Sequence, residues 1–202
     1  MSDKRGFPMG HRHLEQTKAY YDKFFESDKG MKAEWNEQQH RTVTWYPALL
    51  LAVGRIAEVG CGAGHFAAMC KSFGLQYVYG MDISECAIRL AKDNAPGVRL
   101  DSADVGEIDL REKLVDVSAQ TVVALEVLEH IWADKAIIRA LPLGTTFVGS
   151  VPSFHTEGHV RWFASEDQVR ARYSELLDID TVIEERGVKS SNRWFIFRGK
   201  KK

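Results

Sequence analysis

The 202-residue sequence lacks any apolar run of about 18 residues, the length that a membrane-spanning helix needs. It also has no apolar stretch behind its polar and basic first residues, so a secretory signal is not predicted. We therefore expect a soluble, cytoplasmic protein with no membrane span. The length fits one domain with a small appendage.

Cysteine is scarce, with three residues and no C-x-x-C pair. This spacing argues against a structural zinc site built from cysteines and is typical of reduced thiols. A basic excess is also missing, because the formal net charge is −1. Proteins that bind nucleic acids usually carry a basic excess or a basic face, so RNA is a disfavoured partner. The sequence does not indicate an oligomeric state.

What the sequence does contain, from about residue 55 onwards, is an alternation of short apolar runs with helical segments. Such alternation is typical of a mostly parallel sheet with right-handed crossovers. We predict an α/β fold with a Rossmann-like, doubly wound sheet of seven strands that ends in a C-terminal antiparallel hairpin. The predicted strands are RIAEVG, QYVYGMDI, VRLDSAD, SAQTVVALE, TTFVGSVP, DIDTVIEER and NRWFIFRG.

The N-terminal quarter differs from this pattern. Residues 1–13 are predicted to be disordered, and the chain from Leu14 to Leu51 is predicted to be mostly helical, punctuated at Gly30 and Pro47. We expect residues 1–50 to form a helical segment or lid, and residues 51–202 to form the ligand-binding domain. The aromatic side chains of the first segment are expected either to cover a bound substrate or to attach the helices to the sheet. They are Tyr20, Tyr21, Phe24, Phe25, Trp35 and Trp45.

Three glycines at alternate positions, Gly60, Gly62 and Gly64, follow the first predicted strand. Glycine costs about 0.5–1 kcal/mol relative to Ala inside regular structure, so this density indicates a tight turn or a ligand close to the backbone. Backbone N–H groups and a helix N-terminus would then face the ligand. His65 occupies the position of the third glycine in the G-x-G-x-x-G dinucleotide pattern, which disfavours a pyrophosphate ligand such as NAD.

An acidic residue lies at the end of each of the first three predicted strands: Glu58, Asp82 and Asp104. Ligands of parallel sheets bind at the carboxyl ends of the strands, and a carboxylate after the second strand can accept both hydroxyls of a ribose. Three acids make a poor phosphate site. They suit a ligand that has an amine, a ribose and an adenine amino group.

These motifs resemble those of the class I S-adenosylmethionine-dependent methyltransferases, over roughly residues 50–198. EVGCGAG is similar to the first motif of that family, GMDIS to the second, SAD to the third, and VVALEVLEHI to the fourth strand and its helix. The resemblance implies that Glu58 holds the methionine amine of S-adenosyl-L-methionine, that Asp82 binds its ribose, and that Asp104 with Val105 contacts its adenine. The implied cofactor-binding residues are Glu58, Gly60, Cys61, Gly62, Gly64, Asp82, Ile83, Asp104, Val105 and Glu126.

The LEVLEHI stretch is expected to be a helix with Glu126, Glu129 and His130 on one face, and His159 follows downstream in GHVRWF. Two carboxylates and imidazoles can hold a divalent cation or supply a general base. The pattern resembles the type 11 and ubiquinone-pathway O-methyltransferases and the small-RNA 3′-terminal 2′-O-methyltransferases, in which a metal lowers the pKa of a hydroxyl. The candidate catalytic residues are His130, His159 and Glu126, and the candidate ligands for Mg²⁺ or a similar ion are Glu126, Glu129, His130 and His159.

The predicted function is methyl transfer from S-adenosyl-L-methionine to an oxygen atom of a small-molecule acceptor. The sequence has no N-P-P-Y or D-P-P-Y stretch, which family comparison associates with amino-group methylation of adenine, cytosine or glutamine. Two alternatives remain open at this point. One is a metal-assisted RNA 2′-O-methyltransferase, and the other is a non-catalytic, cofactor-binding partner subunit.

Overall fold

The computed structural model describes residues 14–27, 39–187 and 191–202, with residues 39–42 described by their backbone alone. The predictions made for residues 1–13, Gly30 and Trp35 lie outside these ranges. The helices are α1 (Lys18–Glu26), α2 (Gln39–Leu51), α3 (His65–Ser72), α4 (Glu85–Asn94), α5 (Leu110–Asp116), α6 (Asp134–Ala140) and α7 (Glu166–Tyr173). The strands are β1 (Arg55–Val59), β2 (Gln76–Asp82), β3 (Arg99–Ser102), β4 (Thr121–Ala124), β5 (Thr146–Pro152), β6 (Leu177–Arg186) and β7 (Arg193–Lys201).

The strands form one sheet in the order β3-β2-β1-β4-β5-β7-β6. Strands β1 to β5 pair in parallel, and β7 pairs antiparallel with both β5 and β6. The predicted seven-stranded α/β fold with a closing hairpin is therefore confirmed. Because β1 pairs with both β2 and β4, the strand order reverses beside β1, and ligands of doubly wound sheets bind at such a reversal.

The burial of the strands follows their position in the sheet. Every residue of β4 and β5 is buried, as in central strands covered by helices on both faces. In β6, at the edge, Leu177 is buried and the other residues are half-buried or exposed. One core layer contains Phe147, Tyr173 and Phe197, and the opposite layer contains Trp45 and Phe66. No helix in the described part of the chain is long and apolar enough to cross a membrane.

Several local features follow from single residues. The Ser84 hydroxyl accepts the Ala87 N–H at 3.1 Å, so this serine caps α4 as its position suggests. The expected break at Pro47 is wrong, because α2 runs through this residue. Buried contacts of Trp45 and Leu49 with the sheet hold the helix there despite the backbone hydrogen bond that a proline removes.

Candidate active site

A cavity of about 510 Å³ opens at the carboxyl ends of β1, β2 and β4. The glycine turn of residues 60–64 forms one wall, together with the residues that follow β2 and β3. The remaining lining residues, called the α1 side below, are Glu15, Gln16, residues of α1, Trp45, the segment of residues 125–133 and the loop of residues 156–158. One cavity thus collects predicted site residues from the glycine turn, the end of β2, the residues after β3 and the segment after β4, whereas His159 does not line it.

The three glycines of the turn have positive φ angles but different surroundings. Gly60 and Gly62 line the cavity, and Gly64 does not. A Cβ atom on Gly64 would lie 2.9 Å from the Cα of Ala91, so this glycine lets α3 pack closely against α4. A Cβ atom on Gly62 would meet only the ring of Phe25, at 3.4 Å. A Cβ atom on Gly60 would lie 2.2 Å from the Val127 side chain, so Gly62 offers the more open approach to a ligand.

Asp82 is fixed by two backbone donors at the end of β2. Its Oδ2 accepts the Gly62 N–H and its Oδ1 accepts the Ser84 N–H, both at 2.9 Å. Burial raises the pKa of Asp82, while these two hydrogen bonds act in the opposite direction. Each carboxylate oxygen keeps a lone pair that can accept a further hydroxyl. The carboxylate is thus oriented in advance to bind two neighbouring hydroxyl groups.

Glu58 also lines the cavity, although only 3% of it is exposed. The Tyr77 hydroxyl donates to its Oε2 at 2.7 Å. Burial raises the pKa of Glu58 to about 8, and the Tyr77 hydrogen bond acts in the opposite direction. A cationic amine in the cavity would favour the ionised carboxylate. The role of Tyr77 was not predicted from the sequence, because no sequence motif links its hydroxyl to Glu58.

The remaining candidate cofactor residues surround the same wall. Ile83, Asp104 and Val105 line the cavity, and the Asp104 Oδ1 accepts the Gly106 N–H at 2.8 Å. Cys61 lines it too, and burial raises the pKa of its thiol. This thiol therefore stays neutral near pH 7 and fills space in the turn.

The helix expected for LEVLEHI is wrong, because residues 125–133 form turns and α6 begins only at Asp134. Glu126 has a φ of +56°, and its N–H donates to the Ser150 hydroxyl at 2.9 Å. Its carboxylate accepts the same hydroxyl at 2.9 Å and the Trp194 indole N–H at 3.2 Å. Burial raises the pKa of Glu126 to about 7. Partners on β5 and β7 thus hold this residue at the cavity.

Arg161 explains why the segment does not continue as a helix. Its guanidinium donates to the backbone carbonyls of Leu128, Ile131 and Trp132, and it is 5% exposed. Asp134 lies 3.5 Å from it as a buried counter-ion. In a helix these carbonyls would accept hydrogen bonds from backbone N–H groups of the same helix. Here they accept them from the Arg161 guanidinium, 29 to 33 residues further along the chain. Sequence analysis did not identify Arg161.

Glu129, His130 and His159 come together, and Glu126 is not part of this group. Each offers a ligand atom, and these atoms lie within 4.8 Å of one another. Both Glu129 carboxylate oxygens are buried without a hydrogen-bond partner, and burial raises the pKa of this group to about 8. His130 lines the cavity, and burial lowers its pKa. Its Nδ1 faces the Gly158 carbonyl at 3.0 Å, so the protonated Nδ1 donates there and the Nε2 keeps a free lone pair.

Helix α1 covers the cavity with aromatic side chains. Tyr20, Tyr21, Phe24 and Phe25 all line it. The Asp22 Oδ1 accepts the Ser84 hydroxyl at 2.7 Å and the Cys86 N–H at 3.3 Å, which attaches α1 to the N-terminus of α4. These contacts place α1 beside the glycine turn, where the Phe25 ring would lie 3.4 Å from a Cβ atom on Gly62.

Comparisons with known proteins find methyltransferases among the similar proteins. A family described as "Methyltransferase domain" matches residues 57–141. A ribosomal protein L11 methyltransferase of Caldanaerobacter subterraneus subsp. tengcongensis is 28% identical over 148 residues, which is 73% of this chain. The match covers 43% of that relative, so this chain corresponds to less than half of its length.

Two solved structures show the same fold at low sequence identity. The N-methyltransferase NodS of Bradyrhizobium japonicum, in complex with S-adenosyl-L-homocysteine, is 17% identical with a TM-score of 0.68 over 91% of this chain and 97% of that chain. The 1,6-didemethyltoxoflavin-N1-methyltransferase of Burkholderia thailandensis, with its acceptor and S-adenosylhomocysteine bound, is 16% identical with a TM-score of 0.68 over 97% of this chain and 94% of that chain.

Proposed function

We propose that this chain, which belongs to the class I S-adenosylmethionine-dependent methyltransferase family, transfers the methyl group of S-adenosyl-L-methionine to a hydroxyl of a small molecule. One observation carries the proposal. Gly60 and Gly62, the acids at the carboxyl ends of three neighbouring strands, and His130 line a single cavity of about 510 Å³. The names of the similar proteins cover protein and small-molecule acceptors, so the acceptor is argued from this cavity alone.

The wall beside the glycine turn is proposed to bind the cofactor. Asp82 accepts the two ribose hydroxyls, since the Gly62 and Ser84 N–H groups already hold its carboxylate in place. Glu58 receives the ammonium group of the methionine part, and Asp104 receives the adenine amino group. The bound cofactor supplies an activated methyl group on a sulfonium, so the protein has to align the acceptor and accept its proton.

His130 is the proposed general base for a hydroxyl acceptor. Its lowered pKa keeps the imidazole neutral near pH 7, and the Nδ1 contact with Gly158 leaves Nε2 available to accept a proton. His159 lies behind it, with ring centroids 4.9 Å apart, and holds its own Nδ1 3.1 Å from the Phe154 carbonyl. We assign His159 a positioning role, because it does not line the cavity.

Isothermal titration of S-adenosyl-L-homocysteine tests the cofactor part of this proposal. The wild-type protein should bind it, and Asp82→Asn should weaken binding by about tenfold or more, because an amide replaces one acceptor oxygen by a donor. Asp93→Asn is the matched control, since Asp93 is exposed on α4 and does not line the cavity. Equal binding by all three proteins would contradict the proposal. Cofactor binding without methyl transfer to any hydroxyl acceptor would instead favour the non-catalytic partner subunit.

A metal-assisted variant of this chemistry is favoured by one specific observation. The unpartnered Glu129 carboxylate lies with His130 and His159 in a group that offers three ligand atoms, a set that suits a divalent transition metal. The test is calorimetric titration of Mn²⁺ and Mg²⁺ into the wild type and Glu129→Gln, followed by activity with and without a chelator. Undiminished activity in the chelator, with no metal-binding heat, would leave His130 as a metal-free base.

A further inference from the structure

The α1 side of the cavity is acidic. Glu15, Glu126 and Glu157 line it, in addition to the acids assigned above to the cofactor. No Lys or Arg from residues 14–27, 43–187 or 191–202, whose side chains the structure describes, lines any part of the cavity. An anionic group that entered this side would lose its hydration without gaining an opposite charge from a described side chain. A cationic group would meet the carboxylates of Glu15 and Glu157, and it would favour the ionised form of Glu126.

These three acids occupy distinct places. The Glu15 Oε2 accepts the Trp132 N–H at 2.8 Å, and Glu126 is held by Ser150 and Trp194, so both carboxylates are fixed in position. Glu157 is exposed and lies in the loop at the entrance. An incoming cation therefore meets two exposed carboxylates, Glu15 and Glu157, and the buried carboxylate of Glu126.

Aromatic rings cover the same side. Tyr20, Tyr21 and Phe24 of α1 line it, and the indole of Trp45 stacks on His65 with ring centroids 6.0 Å apart. The faces of such rings attract organic cations through their quadrupoles, and they also pack against flat acceptors. A site that combines carboxylates with aromatic ring faces can bind a protonated amine: the carboxylates and ring faces attract the ammonium group, and the rings pack against the carbon skeleton.

We infer that the acceptor is an organic amine, which enters with its nitrogen protonated and is methylated at a hydroxyl group elsewhere in the molecule. This rests on the function proposed above and adds the charge class of its substrate. Phosphate-bearing and carboxylate-bearing acceptors, including RNA, should bind more weakly, because the carboxylates on this side repel them. The ammonium group lies between the α1 rings and the carboxylates of Glu15 and Glu126.

Two phenols of similar size and opposite charge test the inference. Tyramine and 3-(4-hydroxyphenyl)propanoate are titrated into the protein saturated with S-adenosyl-L-homocysteine, and their dissociation constants are compared. Tyramine should bind at least tenfold more tightly. Equal binding, equal absence of binding, or tighter binding of the propanoate would overturn the inference.

A charge reversal at the entrance adds a second readout. Glu157→Lys should reduce the preference for tyramine several-fold, since it places a cation where the amine enters. Glu112→Lys is the matched control, because this exposed residue of α5 changes the total charge equally and lies outside the cavity. Equal effects of the two reversals would count against recognition at this entrance.

Failure of this inference is distinguishable from failure of the proposed function. The saturating titration of S-adenosyl-L-homocysteine is recorded before the phenols are added. Absence of heat at that step contradicts cofactor binding itself. Normal cofactor binding followed by no preference for the amine overturns only the assignment of the acceptor's charge.

Discussion

Glu58 should make the protein less stable as pH rises through the neutral range. This carboxyl group is buried against Tyr77, and its pKa rises to about 8 in the folded chain from an ordinary value of 4.5. Between these two values the folded chain holds a proton that the unfolded chain has released. The free energy of unfolding therefore falls with increasing pH from about 4.5 to about 8, and it becomes level above that range.

The size of this effect follows from the same two values. Each pH unit between them corresponds to about 1.4 kcal/mol, which gives at most about 5 kcal/mol for Glu58 across the whole interval. Glu58→Gln keeps the shape of the side chain and removes the titration. The variant should match the wild type near pH 5 and exceed its stability progressively towards pH 8.

Urea denaturation at several pH values between 5 and 8.5 measures this difference. Subtracting the wild-type curve from that of the variant removes the contributions of the other buried acids, which both proteins share. A difference that stays constant within about 0.5 kcal/mol would refute the reasoning, because it would mean that Glu58 ionises in the folded chain as it does in the unfolded one. In the wild type, S-adenosyl-L-homocysteine should also bind more tightly at pH 8 than at pH 6, since its ammonium group favours the ionised carboxylate.

Three further substitutions test the packing of the fold and the attachment of α1. Gly64→Ala should lower the free energy of unfolding in urea by about 2–4 kcal/mol, because the strain of a positive φ adds to a clash with α4. Gly74→Ala has a similar φ and open space around it, so it should lower this free energy by about 1 kcal/mol. Equal losses would contradict the close packing of α3 on α4. Arg161→Met should lower the free energy of unfolding by about 3 kcal/mol or more, because it removes the hydrogen-bond donor of three backbone carbonyls and one of the guanidinium groups that face the buried Asp134. Arg111→Met, at an exposed position of α5, should change it by less than about 0.5 kcal/mol. Asp22→Asn should accelerate dissociation of S-adenosyl-L-homocysteine several-fold in stopped-flow measurements, and an unchanged rate would show that this contact does not hold α1 in place.

The first half of the sheet was predictable because its signals are local. A strand, a glycine turn and a helix follow one another within residues 55–72, and the Ser84 cap lies three residues from the N–H that it accepts. The position of Asp82 at the end of its strand is equally visible in the sequence. Parallel pairing then places these local features at one edge of the sheet.

The segment after β4 could not be predicted in this way. The spacing of Glu126, Glu129 and His130 suits a helix, and nothing nearby in the sequence opposes one. The opposing contacts come from Ser150, 24 residues away, and from Arg161, at least 29 residues away. Such long-range hydrogen bonds override local periodicity, and they leave Glu126 apart from the group that it was expected to join.

The different roles of the glycines were also hidden. All three share positive φ, and the sequence pattern treats them alike. Only the packing of α4 shows that Gly64 is required by the backbone of Ala91, while Gly62 remains open towards the cavity. A motif therefore located the turn, and three-dimensional contacts were needed to distinguish the residues that face a ligand.

A crystal structure of the protein with S-adenosyl-L-homocysteine tests the central claim most directly. We expect both ribose hydroxyls within hydrogen-bond distance of the Asp82 carboxylate, with the homocysteine part lying along Gly60 and Gly62 beneath α1. A ligand bound outside this cavity, or one whose ribose points away from Asp82, would contradict the account.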